Sequence, residues 1–277
     1  MQQGTIDPMT TRDFQKTVWD YYMNHQRSLP WRGPNVTPYE IMVSEIMLQQ
    51  TQVSRVIEKY AEFLERFPNI QELAKGPLEE VLRIWLGLGY NRRAKFLWQA
   101  AKVVMDEFDG IMPNDTTSLT RLPGIGANTA GAIMAYAYNQ PVVYIETNIR
   151  TVYMHHYFPN AVLVTDAQIL EKVSETLDTA NPREWYWALM DYGTHLKATQ
   201  PKHLHRAKSH TKQTKFEGSL RQVRGRVLRV LAQGATPIET VLEDVADDRT
   251  RLVVQDLVSE KLISEQDGML VLGSALE

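Results

Sequence analysis

Residues 119–131 read LTRLPGIGANTAG and place Leu-Pro-Gly-Ile-Gly between a short helical turn and the apolar run AGAIMAYAY. Two glycines one residue apart, Gly124 and Gly126, let the chain turn sharply, so that the amides opening the next helix point outward together. Such an end attracts phosphate through its exposed N–H groups and its dipole. A bare GxG is common in tight turns. Pro123 and the helix that follows sharpen this one to a helix-hairpin-helix, which grips DNA backbone without reading sequence.

Outward from this turn the pattern is helical nearly throughout. Apolar spacing predicts helices over 12–26, 53–66, 77–85, 91–107, 127–138, 147–157, 167–178 and 183–196. A further helix start is marked three ways, with Thr37 as N-cap, Pro38 at the first helical position and Glu40 three residues after the cap. Few stretches alternate at period two, and no fixed-period repeat is evident. The body is therefore read as all-α.

The chain has 277 residues, 43% hydrophobic and 23% charged, with 15 Gly and 13 Pro, which excludes collagen-like and low-complexity classes. No run of about 18 apolar residues occurs. The start, MQQGTIDPMTTRDF, has neither a basic opening nor an apolar core, so a cytoplasmic, nucleoid-associated location in a bacterium or archaeon is expected, with no membrane partner. With no cysteine, disulfides, thiolate chemistry and Cys-ligated zinc or iron–sulfur centres are all excluded. The length leans toward two domains.

Net charge is only −3, but it is unevenly spread. Residues 197–229 carry +9, residues 230–277 carry −7 and residues 1–196 carry −5. A basic stretch between acidic segments is the footprint of phosphate contact over a limited surface, or of a solvated linker. Lys208 and Lys212, within HLHRAKSHTKQTK (203–215), are the residues expected to hold phosphate there. His203, His205 and His210 are read as part of that basic loop, with no metal assigned.

After this tract, 218–232 reads as a helix ending at Gly234, and Thr236, Pro237 and Glu239 repeat the cap signature. Residues 249–261 give a third helix, and LISEQDGMLVL ends in a hairpin turned at Asp267 and Gly268. Three helices and a hairpin suggest a small winged-helix-like domain. That class binds DNA or docks protein, and the acidic charge here weakens the DNA reading. The expected organisation is 1–200, 201–217 as basic linker or loop, and 218–277 as the winged-helix-like domain.

Two carboxylates stand out. Glu146, in VVYIETNIRTV, follows an apolar run and precedes Thr147 and Asn148, which can cap a helix; equally, an acid at that place is favoured by the helix dipole alone. Glu45 has Ile41, Met42, Leu48 and Gln49 around it at helical spacing. Apolar neighbours would raise its pKa and let it hold a proton at neutral pH, whereas the plain reading is a partly exposed helix glutamate.

Five segments together, LPWRGPNVTPYEIMVSEIMLQQTQV (29–53), GLGYNRRAKFL (87–97), LPGIGANTAGAI (122–133), IETNIRTV (145–152) and ALMDYGTHL (188–196), resemble the helix-hairpin-helix base-excision DNA glycosylases, most closely the MutY-type adenine glycosylases. The resemblance covers about residues 12–197. It implies a two-lobed all-α fold with the DNA cleft between the lobes, double-stranded DNA with a mismatched or damaged base pair as partner, and a monomer. In this family the target base is flipped into a pocket, because its glycosidic bond cannot be reached inside the stack.

By this resemblance Glu45 stands where the family has its acid, which protonates the adenine ring. Glu146 stands where the family has an aspartate that steadies the cationic sugar, with Asn148 near the same site. Trp31, Arg32, Leu48 and Asp191 match positions around the base pocket. Gln50 and Tyr90 match residues that push into the duplex, while Leu88 and the segment from Gly124 and Gly126 to Asn128 and Thr129 face the strand.

The sequence departs from the family in several places. Asn128 replaces the lysine nucleophile of the lyase branch, so a monofunctional enzyme is expected. Glu146 is one methylene longer than the family's aspartate, and a displaced charge can slow the reaction or demand a shifted loop. The four cysteines that hold the family's iron–sulfur cluster are missing, so no cofactor is expected. A winged-helix-like segment stands where MutY-type enzymes carry a β-rich domain that reads 8-oxoguanine. Adenine as target rests on SEIMLQQTQV, which resembles the adenine branch more than the thymine or uracil mismatch branch, so the function expected is release of adenine mispaired with 8-oxoguanine or guanine. The alternatives are a thymine or uracil mismatch glycosylase of the same superfamily, which shares LPWR and the Glu position, and a non-catalytic lesion binder.

Overall fold

The computed structural model describes residues 9–200 and 215–273. In chain order the helices are α1 (Thr11–His25), α2 (Pro38–Leu48), α3 (Val53–Arg66), α4 (Ile70–Lys75), α5 (Leu78–Trp85), α6 (Arg92–Glu107), α7 (Thr116–Arg121), α8 (Ala127–Tyr138), α9 (Thr147–Tyr157), α10 (Asp166–Thr176), α11 (Pro182–Thr199), α12 (Leu220–Leu231), α13 (Ile238–Val245) and α14 (Thr250–Ser259). The sheet is confined to β1 (Thr236–Pro237), β2 (Ile263–Gln266) and β3 (Met269–Leu272), so the chain is predominantly all-α.

Local chemistry sets these boundaries. At α2 the Thr37 hydroxyl accepts from the Glu40 N–H at 3.3 Å, and the Glu40 carboxylate accepts from the Thr37 N–H at 2.6 Å, the reciprocal cap that the sequence predicts. Helix α4 is missing from the sequence expectation because six residues hold too little periodicity; the Asn69 side chain starts it, accepting from the Glu72 N–H at 2.9 Å.

The chain forms two compact units. Among the described residues, one takes in 9–36, 114–116 and 126–200, the other 37–113, 117–125 and 215–273. In the first, α1, α8 and α9 pack on α11, around Phe14, Tyr153, Trp185 and Tyr186. Phe14 lies 5.1 Å from the Tyr153 ring and 6.0 Å from the Trp185 ring, centroid to centroid. In the second, α2, α4 and α5 pack on α6, with Phe63, Phe67, Trp85 and Leu97 buried.

The C-terminal module belongs to the second unit. Helices α12, α13 and α14 bury Val223, Val227, Val241, Val253 and Leu257 against the sheet, whose order is β1-β3-β2, all antiparallel. Ile263 pairs with Leu272 and Gln266 with Met269. Asp267 and Gly268 turn the hairpin at φ 51° and 75°, the left-handed pair that a two-residue turn requires. One detail differs from the sequence reading. Thr236 does not cap α13; it pairs with Leu270 in the sheet, and its hydroxyl donates to the Gly234 carbonyl at 3.0 Å. The N-cap is Pro237, so sheet pairing overrides the cap signature.

Candidate functional site

In the first unit, the site is built at the head of α9. Glu146 is itself the N-cap, where Thr147 or Asn148 was expected. Its Oε1 accepts from the Asn148 N–H at 2.6 Å and the Ile149 N–H at 3.0 Å, while Oε2 lies 3.5 Å from the Asn148 amide nitrogen. Burial raises the Glu146 pKa, and the two backbone N–H groups, Lys197 and Arg150 pull it back down. The result is a carboxylate held rigidly, with one oxygen committed to the backbone.

Helix α11 supports that head. A Cβ added at Gly193 would lie 2.3 Å from the Asn148 carbonyl oxygen and 2.7 Å from its Cβ, so only glycine lets α11 approach α9 here. The Asn148 amide also reaches the Met190 sulfur at 3.8 Å. Asp191, the next residue, is 2% exposed. It accepts from the Arg27 N–H at 2.9 Å, Arg27 Nε at 2.6 Å, Arg32 Nη1 at 2.8 Å and Arg32 Nη2 at 3.0 Å. Those four donors fill the lone pairs of the carboxylate. Asp191 therefore clamps the 27–32 segment to α11. Trp31 is buried beside it, and the Arg32 guanidinium lies 5.5 Å from the Trp187 ring.

Gly126 begins α8 with no side-chain cap, and Asn128 is exposed in the first turn with Thr129 half-buried beside it. A glycine N-cap offers the first α8 amides no side chain of its own, the kind of helix end at which anions are received.

In the second unit, Glu45 lies half-buried on α2 among buried Ile41, Met42, Ile46 and Met47, with Leu48 half-buried one turn on. Helix α2 ends at Gln49, and Gln50 follows, exposed, at φ 56°. Gln49 Nε2 reaches the Gly124 carbonyl at 3.4 Å. Gly124 has φ 80°, and a Cβ there would meet Phe96 at 2.8 Å, so both its conformation and its surroundings demand glycine. Tyr90 sits at φ 49°. The Leu88 side chain is 4% exposed, and its carbonyl is taken by Thr51 at 3.2 Å and Arg93 at 3.3 Å.

Sequence reasoning passed over Arg93. It is 8% exposed, and its guanidinium donates to the Ile46 and Met47 carbonyls at 2.8 and 2.9 Å, to the Gly89 carbonyl at 2.8 Å and to the Thr51 hydroxyl at 2.9 Å. One cation thus caps the end of α2 and fixes the 87–90 loop beside it. Burial lowers its pKa to about 10, so it stays charged at neutral pH. An arginine one residue inside a helix with apolar neighbours at Ala94 and Leu97 was the available signal. Arg27 and Gly193 were also passed over, while the α12 arginines were read only as part of the basic 197–229 stretch.

Lys208 and Lys212, together with His203, His205 and His210, lie outside the described residues. Among the described residues no group of three or more His, Cys, Asp or Glu is placed to hold a metal, and no helix is long and apolar enough to cross a membrane. With no cysteine in the chain, the thiolates that an iron–sulfur cluster needs are not available.

Residues 43–178 match the HhH-GPD superfamily base excision DNA repair protein model. The adenine DNA glycosylase of Mycolicibacterium smegmatis is 37% identical over 242 residues, 81% of this chain and 82% of that protein. This chain belongs to the HhH-GPD superfamily. Further superfamily relatives are the adenine DNA glycosylases of Buchnera aphidicola subsp. Baizongia pistaciae, 38% identical over 67% of this chain and 53% of that one, and of Homo sapiens, 34% identical over 65% and 35%. The chain thus spans about half the length of the Buchnera relative. Among solved structures, that of a thermostable thymine-DNA glycosylase matches with a TM-score of 0.59 at 24% identity, over 66% of this chain and 85% of that one, which supports the fold.

Proposed function

We propose that the protein is a monofunctional DNA N-glycosylase of base excision repair that releases adenine mispaired with 8-oxoguanine or guanine in double-stranded DNA. The observation that carries this is Glu146: a half-buried carboxylate pinned by two amides at the head of α9, in a chain whose relatives include an adenine DNA glycosylase matched over 82% of its length. Glu45 donates a proton to the extruded adenine, the bond from C1′ to the base breaks, and the departing base keeps that proton. Glu146 meets the positive charge developing on the sugar with its own negative charge. Water then adds its oxygen to C1′ and passes its proton to the Glu45 carboxylate, which restores the acid. Asn148, hydrogen-bonded beside Glu146, positions that carboxylate, while Asp191 holds Arg32 and Trp31 in place.

Asn128 has no amine with which to form a Schiff base, which supports a reaction that stops at the abasic site. Gln50 and Tyr90, both on left-handed backbone, fill the space that the extruded nucleotide leaves. Gly124, Gly126 and Thr129 present the turn and the α8 amides to phosphate. The test is base release from duplexes carrying A, T, U or hypoxanthine opposite 8-oxoguanine and opposite G. Release of adenine is expected; release confined to T or U would move the assignment to the mismatch branch, and tight binding with no release would make the protein a lesion binder.

A further inference from the structure

The C-terminal module carries net negative charge in sequence, which argues against DNA binding, yet its charges are segregated in space. Helix α12 buries Val223, Val227, Leu228 and Leu231 inside the module and carries Arg221, Gly225 and Arg229 at intervals of four along another face. That face lines a cavity of about 1150 Å³ inside the second unit. The opposite wall is Gln49 to Gln52 and Leu86 to Arg93, the two segments that carry Gln50 and Tyr90.

Six arginines line this cavity, Arg55, Arg92, Arg93, Arg221, Arg224 and Arg229, against one acid, Glu260. Arg224 is ion-paired with Glu260, and Arg93 spends its donors on carbonyls, so Arg93 acts as a fixed buried charge. The remainder is a strongly positive recess, where low-dielectric walls concentrate the field. Arg221 donates to the Tyr90 hydroxyl at 2.8 Å, and the Arg221 and Arg93 guanidinium groups lie 5.6 and 5.7 Å from the Tyr90 ring. Phe216, 57% exposed, adds an aromatic face at the lining. The cavity exceeds the roughly 300–1,000 Å³ of small-ligand pockets, and its cations are spread along one wall, which fits a polymer of phosphates better than a metabolite.

We infer that α12 is a second DNA contact: this cavity takes a stretch of sugar-phosphate backbone beside the bases penetrated by Gln50 and Tyr90, with phosphates on Arg221 and Arg229. The contact rests on the glycosylase reading only for its choice of duplex. In the full chain, Arg221→Ala with Arg229→Ala should weaken binding to mismatched and matched duplexes alike, about tenfold or more at moderate salt. It should also flatten the slope of log affinity against log salt by about two, at roughly 0.9 per lost phosphate contact. Arg221→Lys with Arg229→Lys keeps the charge and should restore most of the slope; Arg251→Ala, in an exposed pair with Glu239, should leave it unchanged. An unchanged slope in the double-alanine variant would overturn the contact, and tighter binding would make α12 a cover over the site. Wild-type base release in the same samples reads the glycosylase proposal separately: a wild type that binds without cleaving defeats that proposal and leaves the slope to judge α12.

Discussion

Glu146→Gln separates the two roles a carboxylate can play at the head of α9. The amide oxygen of glutamine can still accept from the Asn148 and Ile149 N–H groups, now at 2.6 and 3.0 Å from Oε1, so the cap persists in shape. What is lost is charge. Two charge-assisted bonds become neutral ones, and the favourable term with the helix dipole disappears, a cost on the order of 1–2 kcal/mol. Burial works the other way: it already disfavours the anion, as the raised pKa records, and a neutral amide escapes that penalty. Burial is the larger of the two, so the melting temperature should not fall. The rate should respond quite differently. A group aimed at developing charge is worth about 2.7–4 kcal/mol, or 10²–10³ in the chemical step. Single-turnover adenine release at saturating duplex, alongside thermal unfolding of the same preparation, measures both. A variant that keeps a rate within a few-fold of wild type would show that Glu146 is only a cap, and one that loses rate and melting temperature together would show a folding defect.

Three further outcomes follow from named contacts. Because the folded pKa of Glu146 is raised, its contribution to stability is present below the usual glutamate range and lost as pH rises through the raised value. The reaction needs the anion and runs the opposite way, so a pH titration of the single-turnover rate should show an acid limb above the usual glutamate range that Glu146→Gln lacks. Asp191→Asn leaves Arg27 and the buried Arg32 short of their partner, at about 3–5 kcal/mol, and should lower the melting temperature by on the order of 10 °C in calorimetry; a shift under about 2 °C would mean that the cluster is dispensable. Gly193→Ala forces a methyl against the Asn148 carbonyl, should cost about 1–3 kcal/mol and should slow base release by displacing the α9 head; normal kinetics in a folded variant would show that α11 does not set that geometry.

The sequence exposed those features whose cause is local. The α2 cap is readable because Thr37, Pro38 and Glu40 are close in the chain, and the Asp267-Gly268 hairpin because its turn chemistry is confined to two residues. Features decided by distant partners were not readable. Nothing near Arg93 in sequence announces that its acceptors are the Ile46 and Met47 carbonyls, nearly fifty residues away. The Thr236 cap signature was sound chemistry, but it lost to pairing with Leu270 on a strand formed thirty residues later. Charge along the chain marked residues 197–229 as basic and 230–277 as acidic, but a sum over sequence cannot reveal that Arg221, Arg224 and Arg229 of α12 share one cavity wall while most of the module's acids lie outside it.

The most direct test is product analysis after a single turnover on a duplex with adenine opposite 8-oxoguanine. Free adenine should appear in stoichiometric amount, the strand should remain unbroken until heated in alkali, and borohydride should trap no covalent complex. Absence of free adenine, or a strand break accompanied by a trapped adduct, would contradict the account.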